Sequence, residues 1–91
     1  MASSKKHPRR DPVIPDEIIL LSQLNNISGM SLDRSLTLEE ISVRTGTERD
    51  KVMENLVKLI RADYVRTYSL KGEMRYYLTE NGIRKALSAL S

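Results

Sequence analysis

Residues 36–82 read LTLEEISVRTGTERDKVMENLVKLIRADYVRTYSLKGEMRYYLTENG, and this stretch decides the fold. It predicts two helices joined by a tight turn at Gly46, followed by two strands joined by a turn at Lys71-Gly72. The predicted fold class is therefore mainly α with a small antiparallel β-hairpin. This order of elements presents the start of one helix and the tip of one hairpin on the same side of the molecule.

Local signals mark both ends of the first helix of this unit. Thr37 followed by Glu40 forms a capping box, in which the Thr hydroxyl and the Glu carboxylate each accept a backbone N–H. Leu38 and Ile41 lie three residues apart on one face of the helix. Gly46 can adopt the left-handed conformation that ends a helix, so we expect the helix to stop there.

The second helix is predicted over residues 47–62. Thr47 and Asp50 provide a new start signal directly after the turn. The apolar side chains follow the i, i+4, i+7, i+8 spacing of a helix packed on a core, namely Val52, Leu56, Leu59 and Ile60. Asp63 and Tyr64 are expected to end this helix.

The hairpin is predicted over residues 64–78, and residues 35–37 are expected to add a short strand to it. Alternation indicates that one face is buried by Val65, Thr67, Met74, Tyr76 and Leu78. All four tyrosines of the chain lie in the hairpin, and the chain has no Phe or Trp. We interpret the tyrosines as hydrophobic filler, with Tyr68 and Tyr77 as the pair that faces outward. A base-stacking platform is the alternative.

Two further helices flank this unit. The first begins near Pro12 or Pro15 and runs to about Ile27, and its apolar residues cover a wide arc, namely Ile18, Ile19, Leu20, Leu21, Leu24 and Ile27. The last is capped by Thr79 and carries a stripe of Ile83, Ala86, Leu87 and Leu90. We expect a homodimer through the first and last helices, since so short a chain leaves the last stripe no core to cover. The alternative is a monomer whose last helix folds over its first.

Length and composition indicate one small domain. The chain has 91 residues, of which 40% are hydrophobic, enough for a single core. It contains no Cys, which excludes disulfides and favours a reducing compartment. The longest apolar run, residues 18–21, is far too short to span a membrane, and the N-terminus lacks the apolar region of a signal peptide. We expect a soluble, cytoplasmic protein.

Charge divides the chain into an arm at residues 1–11 and a domain at residues 12–91. The arm holds Lys5, Lys6, Arg9 and Arg10 against Asp11, which accounts for the entire formal net charge of +3. The domain is neutral overall. Such a basic arm, rich in Ser and Pro, is expected to be flexible and to find anionic partners. The alternative is a tail that only improves solubility.

Catalytic residues are scarce. The only His is His7, in the arm, and without Cys there is neither a thiol nucleophile nor a His/Cys metal set. Glu39 and Glu40 point in different directions around a helix, and no glycine-rich phosphate loop is present. The sequence therefore predicts a protein that is not an enzyme, with no metal, no cofactor and no small-molecule ligand.

The segment LTLEEISVRTGTERDKVMENLVKLIRADYVR, followed by a hairpin and RYYLTENGIRKAL, resembles the winged helix-turn-helix domains of bacterial and archaeal transcription regulators, notably MarR-like and PadR-like ones. The resemblance covers about residues 15–90. Its most specific marks are the Gly46 turn, the spacing of Val52, Leu56 and Leu59, and LTENG after the second wing strand. It implies that residues 47–62 form a recognition helix for double-stranded DNA and residues 64–78 form a wing.

The resemblance also implies which side chains meet DNA. The candidates within it are Arg44, Thr45, Thr47, Arg49, Asp50, Lys51, Met53, Glu54, Arg66, Lys71 and Arg75. The charge of the arm, which lies outside the resemblance, adds Lys5, Lys6, Arg9 and Arg10 as candidates. The expected function is a DNA-binding transcription regulator. The motif maps six residues toward the groove, namely Glu48, Arg49, Asp50, Met53, Glu54 and Val57. Three of them, Glu48, Asp50 and Glu54, are acidic, and acids beside phosphates are repelled. The alternative is a winged-helix module for protein–protein contacts in a transcription-related assembly.

Overall fold

Four helices and a three-stranded antiparallel sheet make up residues 13–27 and 34–89, the part of the chain that the computed structural model describes. The elements are α1 (Asp16–Ile27), β1 (Leu36–Thr37), α2 (Leu38–Thr45), α3 (Arg49–Arg61), β2 (Val65–Leu70), β3 (Glu73–Leu78) and α4 (Glu80–Ala89). The predicted fold class is confirmed. The arm at residues 1–11 and Leu90 lie outside the described residues, as does the predicted helix start at Pro12.

Both predicted end signals of α2 are confirmed. The backbone N–H of Glu40 donates to Oγ1 of Thr37 at 3.1 Å, and the Thr37 N–H donates to Oε1 of Glu40 at 2.9 Å. Gly46 has φ of 67°, which a residue with a Cβ adopts only with strain. Its N–H donates to the carbonyl of Ser42, so a free carbonyl at the helix end is satisfied.

The start of α3 differs from the prediction, since the helix begins at Arg49 and not at Thr47. Thr47 belongs to the end of α2, because its N–H donates to the Ser42 carbonyl at 3.2 Å. The Ser42 hydroxyl in turn donates to the Thr47 carbonyl at 2.6 Å. Glu48 occupies the N-cap position of α3, but its side chain makes no capping hydrogen bond. The helix ends at Arg61, just before Asp63 turns the chain with φ of 64°.

The sheet has the order β1-β3-β2, which confirms the short extra strand. Strands β2 and β3 are joined by Lys71 and Gly72, with φ of 52° and 81°. Positive φ at both positions is the requirement of a type I′ turn, whose twist matches that of the flanking strands. Leu70 pairs with Glu73, so the hairpin runs to its tip without a bulge.

The core lies between α1, α2, α3, α4 and the base of the sheet. Its fully buried side chains are Leu21, Ile41, Val52, Leu56, Leu59, Val65 and Leu78. Three residues predicted to be buried are not: Ile60 is 38% exposed, Met74 is 48% exposed and Thr67 is exposed as well. Ile60 lies one residue past Leu59, hence about 100° around the helix. Met74 lies near the hairpin tip, and Thr67 lies in the middle of β2, opposite Tyr76.

Helix α4 packs against α1 of the same chain. Ala86 is buried, and Ile83 packs partly buried against the core. The premise that the last helix has no core of its own to cover is therefore wrong. Leu87 is left 60% exposed, and Ile19 of α1 is 44% exposed. Within the described ranges, no helix is both long and apolar enough to cross a membrane.

The junction of the wing with α4 depends on a close backbone approach at Gly82. Thr79 caps α4 as predicted, since its Oγ1 accepts the Gly82 N–H at 2.9 Å and donates to the Asp63 carbonyl at 2.6 Å. A Cβ on Gly82 would overlap the carbonyl oxygen of Tyr64, which already accepts the Thr79 N–H. Only glycine fits this contact.

We predict that Gly82→Ala lowers the free energy of unfolding by about 1–3 kcal/mol, because overlap with fixed backbone forces a shift. The loss should exceed the gain of about 0.5–1 kcal/mol that alanine gives over glycine inside a helix. Urea unfolding measures the change. Arg84→Ala, on the exposed side of α4, is the control and should change the stability by less than about 0.5 kcal/mol. A more stable Gly82→Ala protein would contradict the close approach.

Candidate nucleic-acid interface

The outer face of α3 is determined by the face that is buried. Val52, Leu56 and Leu59 have no exposed surface, so the side chains half a turn away point outward. The outward residues are Asp50, Glu54, Val57 and Arg61, all exposed. The first three were expected there. Arg61 was missed, although its spacing of i+4 from Val57 is the signal that identifies it.

Arg49 is the first residue of α3 and already has an ionic partner. Its Nη1 donates to Oε1 of Glu39 at 2.6 Å, and the two side chains are 62% and 64% exposed. An exposed pair of this kind contributes little to stability, at most about 1 kcal/mol, so solvent or another anion can compete for the guanidinium. Arg49 is thus held at the junction of α2 and α3 by a weak, exchangeable contact.

Lys51 and Lys58 lie on the flank of α3 that faces α1. Lys51 Nζ is 3.8 Å from Asp16 Oδ2 and 3.6 Å from Glu54 Oε1, and Lys58 Nζ is 3.8 Å from Glu17 Oε1. Asp16 and Glu17 form the acidic first turn of α1. The lysines therefore attach α3 to α1, and Lys51 does not project from the outer face as Asp50 does.

The end of α2 contributes one exposed cation. Arg44 is exposed and has no ionic partner within residues 13–27 and 34–89. Its neighbour Thr45 is half-buried, and its hydroxyl donates to the Ile41 carbonyl at 2.7 Å. Of the two candidates here, Arg44 is available to an anionic partner, whereas the Thr45 proton is already used inside the helix.

Met53 is partly buried against the core.

The wing carries cations in three different settings. Lys71 is exposed at the turn and makes no ion pair with any described residue. Arg66 pairs with Asp63 at 3.2 Å on the surface. Arg75 is only 21% exposed. The tip of the wing thus offers Lys71, whereas Arg75 lies in the middle of β3 and Arg66 lies near the base of the wing.

Arg75 fastens the wing to the rest of the domain. Its Nε and Nη2 donate to Oγ and the carbonyl of Ser35 at 3.0 and 2.9 Å, and Nη1 donates to Glu73 at 3.1 Å. Nη2 also lies 3.7 Å from the Glu40 carboxylate, which caps α2. These contacts join β3 to the residue before β1 and to α2. These contacts indicate that Arg75 holds strand β3 in place within the protein, which accounts for its position better than a contact with a DNA phosphate does.

The tyrosines divide between the two faces of the hairpin. Tyr76 is buried, and burial raises the pKa of its phenol above the usual value, so the ring is neutral at physiological pH. Tyr68 and Tyr77 lie on the opposite face with ring centroids 6.2 Å apart, edge to face. The Tyr68 hydroxyl also lies 3.1 Å from Ser35 Oγ. The two rings pack edge to face on one another, on the face opposite Tyr76.

Within residues 13–27 and 34–89, no group of three His, Cys, Asp or Glu side chains is placed to hold a metal ion. The arm candidates Lys5, Lys6, Arg9 and Arg10 lie outside the described residues. The described candidates that remain exposed and outward are Arg44, Arg49, Asp50, Glu54, Arg66 and Lys71. They lie on α2, α3 and the wing.

Solved structures share this architecture, although no protein-family profile and no curated protein matches the sequence. TubR from Bacillus megaterium pBM400 matches with a TM-score of 0.73 and 19% identity, over 85% of this chain and 87% of that one. The DNA-binding TubR fragment from Clostridium botulinum matches with a TM-score of 0.73 and 22% identity, over 87% and 99%. A MarR family protein from Bacillus stearothermophilus matches with a TM-score of 0.63 and 18% identity, over 87% and 54%, so this chain spans about half of it.

The chain therefore has the winged helix-turn-helix fold. Helices α2 and α3 with the Gly46 turn form the helix-turn-helix, and β2 and β3 form the wing. The predicted resemblance to winged-helix regulators is confirmed at the level of the fold, with TubR and a MarR family protein among the structures it is similar to.

We predict that Arg75→Gln lowers the free energy of unfolding by about 1–3 kcal/mol, since it removes a charged donor from several partly buried acceptors. Arg66→Gln is the matched control and should cost less than about 1 kcal/mol, because its ion pair is exposed. Guanidinium unfolding of both variants gives the two values. Equal, small losses would show that the Arg75 contacts do not hold the wing.

Proposed function

We propose that this protein is a DNA-binding transcription regulator that acts in the cytoplasm as a homodimer. The observation that carries the proposal is the exposed outward face of α3. The helix follows directly after the left-handed Gly46 turn, and its opposite face is fully buried. A rigid, exposed helix in this setting is the element that enters a major groove. The fold shared with the DNA-binding TubR fragment supports the same function.

In the proposed complex, the phosphates position the domain and the helix reads bases. Arg44 and Lys71 bind the backbone on either side of the groove. Arg49 exchanges Glu39 for a base edge or a phosphate, an exchange that costs little because the pair is exposed. Asp50 and Glu54 limit which sequences are tolerated, since a carboxylate accepts a hydrogen bond from cytosine but repels phosphate. Thr45, Thr47, Lys51, Met53, Arg66 and Arg75 line or support this surface.

The basic arm supplies the long-range attraction. Residues 12–91 are neutral overall, so Lys5, Lys6, Arg9 and Arg10, offset only by Asp11, account for the net charge of +3. Each phosphate that they neutralise contributes about −0.9 to the slope of log affinity against log salt. This attraction acts on every DNA sequence alike, and sequence preference belongs to the helix.

A second function is favoured by the same outward face. Asp50, Glu54 and Val57 form an acidic and apolar strip along α3, and Lys51 is already paired with acids. That chemistry also suits a basic protein surface. The second candidate is therefore a protein–protein module in a transcription-related assembly.

The salt dependence of DNA binding decides between the two functions. Fluorescence anisotropy with a random-sequence duplex, measured from low to moderate salt, should show binding that weakens steeply as salt rises. A module for protein contacts should show little affinity at moderate salt. That second result would overturn the proposed function.

We predict that Arg49→Ala weakens binding to a selected DNA site by about 1–3 kcal/mol, the loss of one charge-assisted contact. Glu39→Gln should tighten binding, because it removes the anion that competes for Arg49. Arg84→Ala on α4 removes the same charge far from α3 and is the control. If Arg49→Ala and Arg84→Ala bind equally well, Arg49 is not a DNA contact.

The proposed homodimer uses apolar surface that the single chain leaves open. Val13 and Ile14, before α1, and Leu87 of α4 are 93%, 36% and 60% exposed. Val13 and Ile14 line one groove of about 450 Å³ together with Lys85 and Ala89 of α4. A second copy would cover this groove and Leu87 symmetrically, and two-fold pairing is the commonest form of self-association.

We predict that sedimentation equilibrium at tens of micromolar shows a dimer, and that Leu87→Glu dissociates it by placing a charge in an apolar contact. Ser69→Glu adds the same charge on the exposed wing and should leave the dimer intact. A monomer for the unsubstituted chain at that concentration would exclude a stable dimer.

A further inference from the structure

A half-open cavity of about 220 Å³ lies between α1 and the first turns of α3. Ile19 and Leu20 of α1 give it an apolar wall, and Gln23 adds an amide. Asn55 of α3 lines the same space. Asn55 lies on the buried side of α3, whereas Thr47 and Lys51, which also line the cavity, belong to the surface proposed to meet DNA.

Asn55 is the unusual group in this cavity. It is only 5% exposed, and it lies on the core-facing side of α3 between Val52 and Leu56. Its side-chain amide nevertheless makes no hydrogen bond with any residue in the described ranges. Buried polar side chains nearly always have a partner, and an amide can donate twice and accept twice. A group that folding leaves unsatisfied needs a partner from outside the chain.

The size of the cavity indicates what kind of partner fits. One water molecule needs only about 10–15 Å³ of such space, so the cavity has room for much more than a bridging water. It is also smaller than the roughly 300–1,000 Å³ that drug-sized ligands occupy. A compact ligand of one or two rings matches this range.

We propose that the cavity binds a small planar molecule that presents a hydrogen-bond donor and an acceptor side by side, as a primary carboxamide or a nucleobase edge does. An asparagine amide pairs with such an edge through two parallel hydrogen bonds. The apolar wall of Ile19 and Leu20 covers a ring face, and Gln23 offers a second amide. Lys51 and Asp16, 3.8 Å apart, lie at the rim, where a ring substituent would meet them.

No local sequence pattern marks this cavity. A polar residue at a core position of α3 is visible as a break in the apolar spacing, but the same pattern fits an asparagine bonded to a neighbouring backbone group. Only the folded arrangement brings Gln23 of α1 and Asn55 of α3 to one space. The proposed ligand site does not depend on DNA binding, because the ligand is tested on the protein alone.

The test is a titration of the 91-residue chain, monitored by two-dimensional NMR, with nicotinamide, adenine and uracil as probes. At least one probe should shift the Asn55 side-chain amide resonances in a saturable way. Nicotinamide alone would identify the carboxamide chemistry, and the bases alone would identify nucleobase chemistry. Benzene is the matched probe without a polar edge. Equal binding of benzene, or saturation by none of the probes up to millimolar concentration, would overturn the proposal.

Two variants separate a ligand role from a structural one. Asn55→Leu keeps the size of the side chain and removes the amide, so it should weaken probe binding at least tenfold. Its unfolding midpoint should stay unchanged or rise, because no hydrogen bond inside the protein is lost. A clear fall of the midpoint would mean that water already satisfies the amide, which would overturn the proposal. Asn26→Leu, at an exposed position of α1, is the control and should bind as the unsubstituted protein does.

If Asn55→Leu does not fold, Asn55→Asp provides the same comparison with a polar side chain of equal size. It removes the two N–H donors and keeps acceptors, so the paired hydrogen bonds cannot both form. Probe binding should fall at least tenfold in this variant as well. Unchanged binding by Asn55→Asp would overturn the assignment of Asn55 as the partner.

Discussion

The complete burial of one face of α3 is the constraint on which the rest of the structure depends. Val52, Leu56 and Leu59 have no exposed surface, and burying side chains of this size contributes about 1.5–3 kcal/mol each. Helices α1 and α2 and strand β2 all pack against this helix. Because that face cannot turn outward without losing these contacts, the direction of Asp50, Glu54 and Val57 is fixed as well. The candidate interface is a consequence of the core.

Surface charges in this domain are arranged as many weak pairs. Arg49 with Glu39, Lys51 with Asp16 and Lys58 with Glu17 all join separate helices. Exposed pairs of this kind are each worth about 1 kcal/mol or less and weaken as salt rises. The pairs position the Arg and Lys side chains only weakly, so a polyanion can displace the carboxylates. A domain that is neutral overall can therefore still present exchangeable cations on its surface.

Local signals predicted the elements well, and contacts between distant residues account for the errors. The capping box at Thr37, the left-handed Gly46 and the apolar spacing of α3 each act within a few residues, and each prediction is confirmed. Thr47, like Thr37, is a residue type that caps the start of a helix. Ser42, however, forms hydrogen bonds with both the N–H and the carbonyl of Thr47. Ile60 fits the helical spacing too, yet the width of the buried face is set by the neighbouring elements. No local pattern contains that information.

The candidate site was less predictable than the fold, because the availability of a charge depends on its neighbours in space. Arg75 and Lys71 look alike in sequence, as cations near the tip of a predicted hairpin. Ser35 and Glu40, far away in the chain, enclose Arg75, whereas Lys71 extends into solvent from a turn. The residue types therefore indicate that the wing can bind an anion. The packing of β1 and α2 against β3 decides which of the two cations is free to do so. A search of such domains for DNA-contacting residues should thus begin from the cations that the core leaves unengaged.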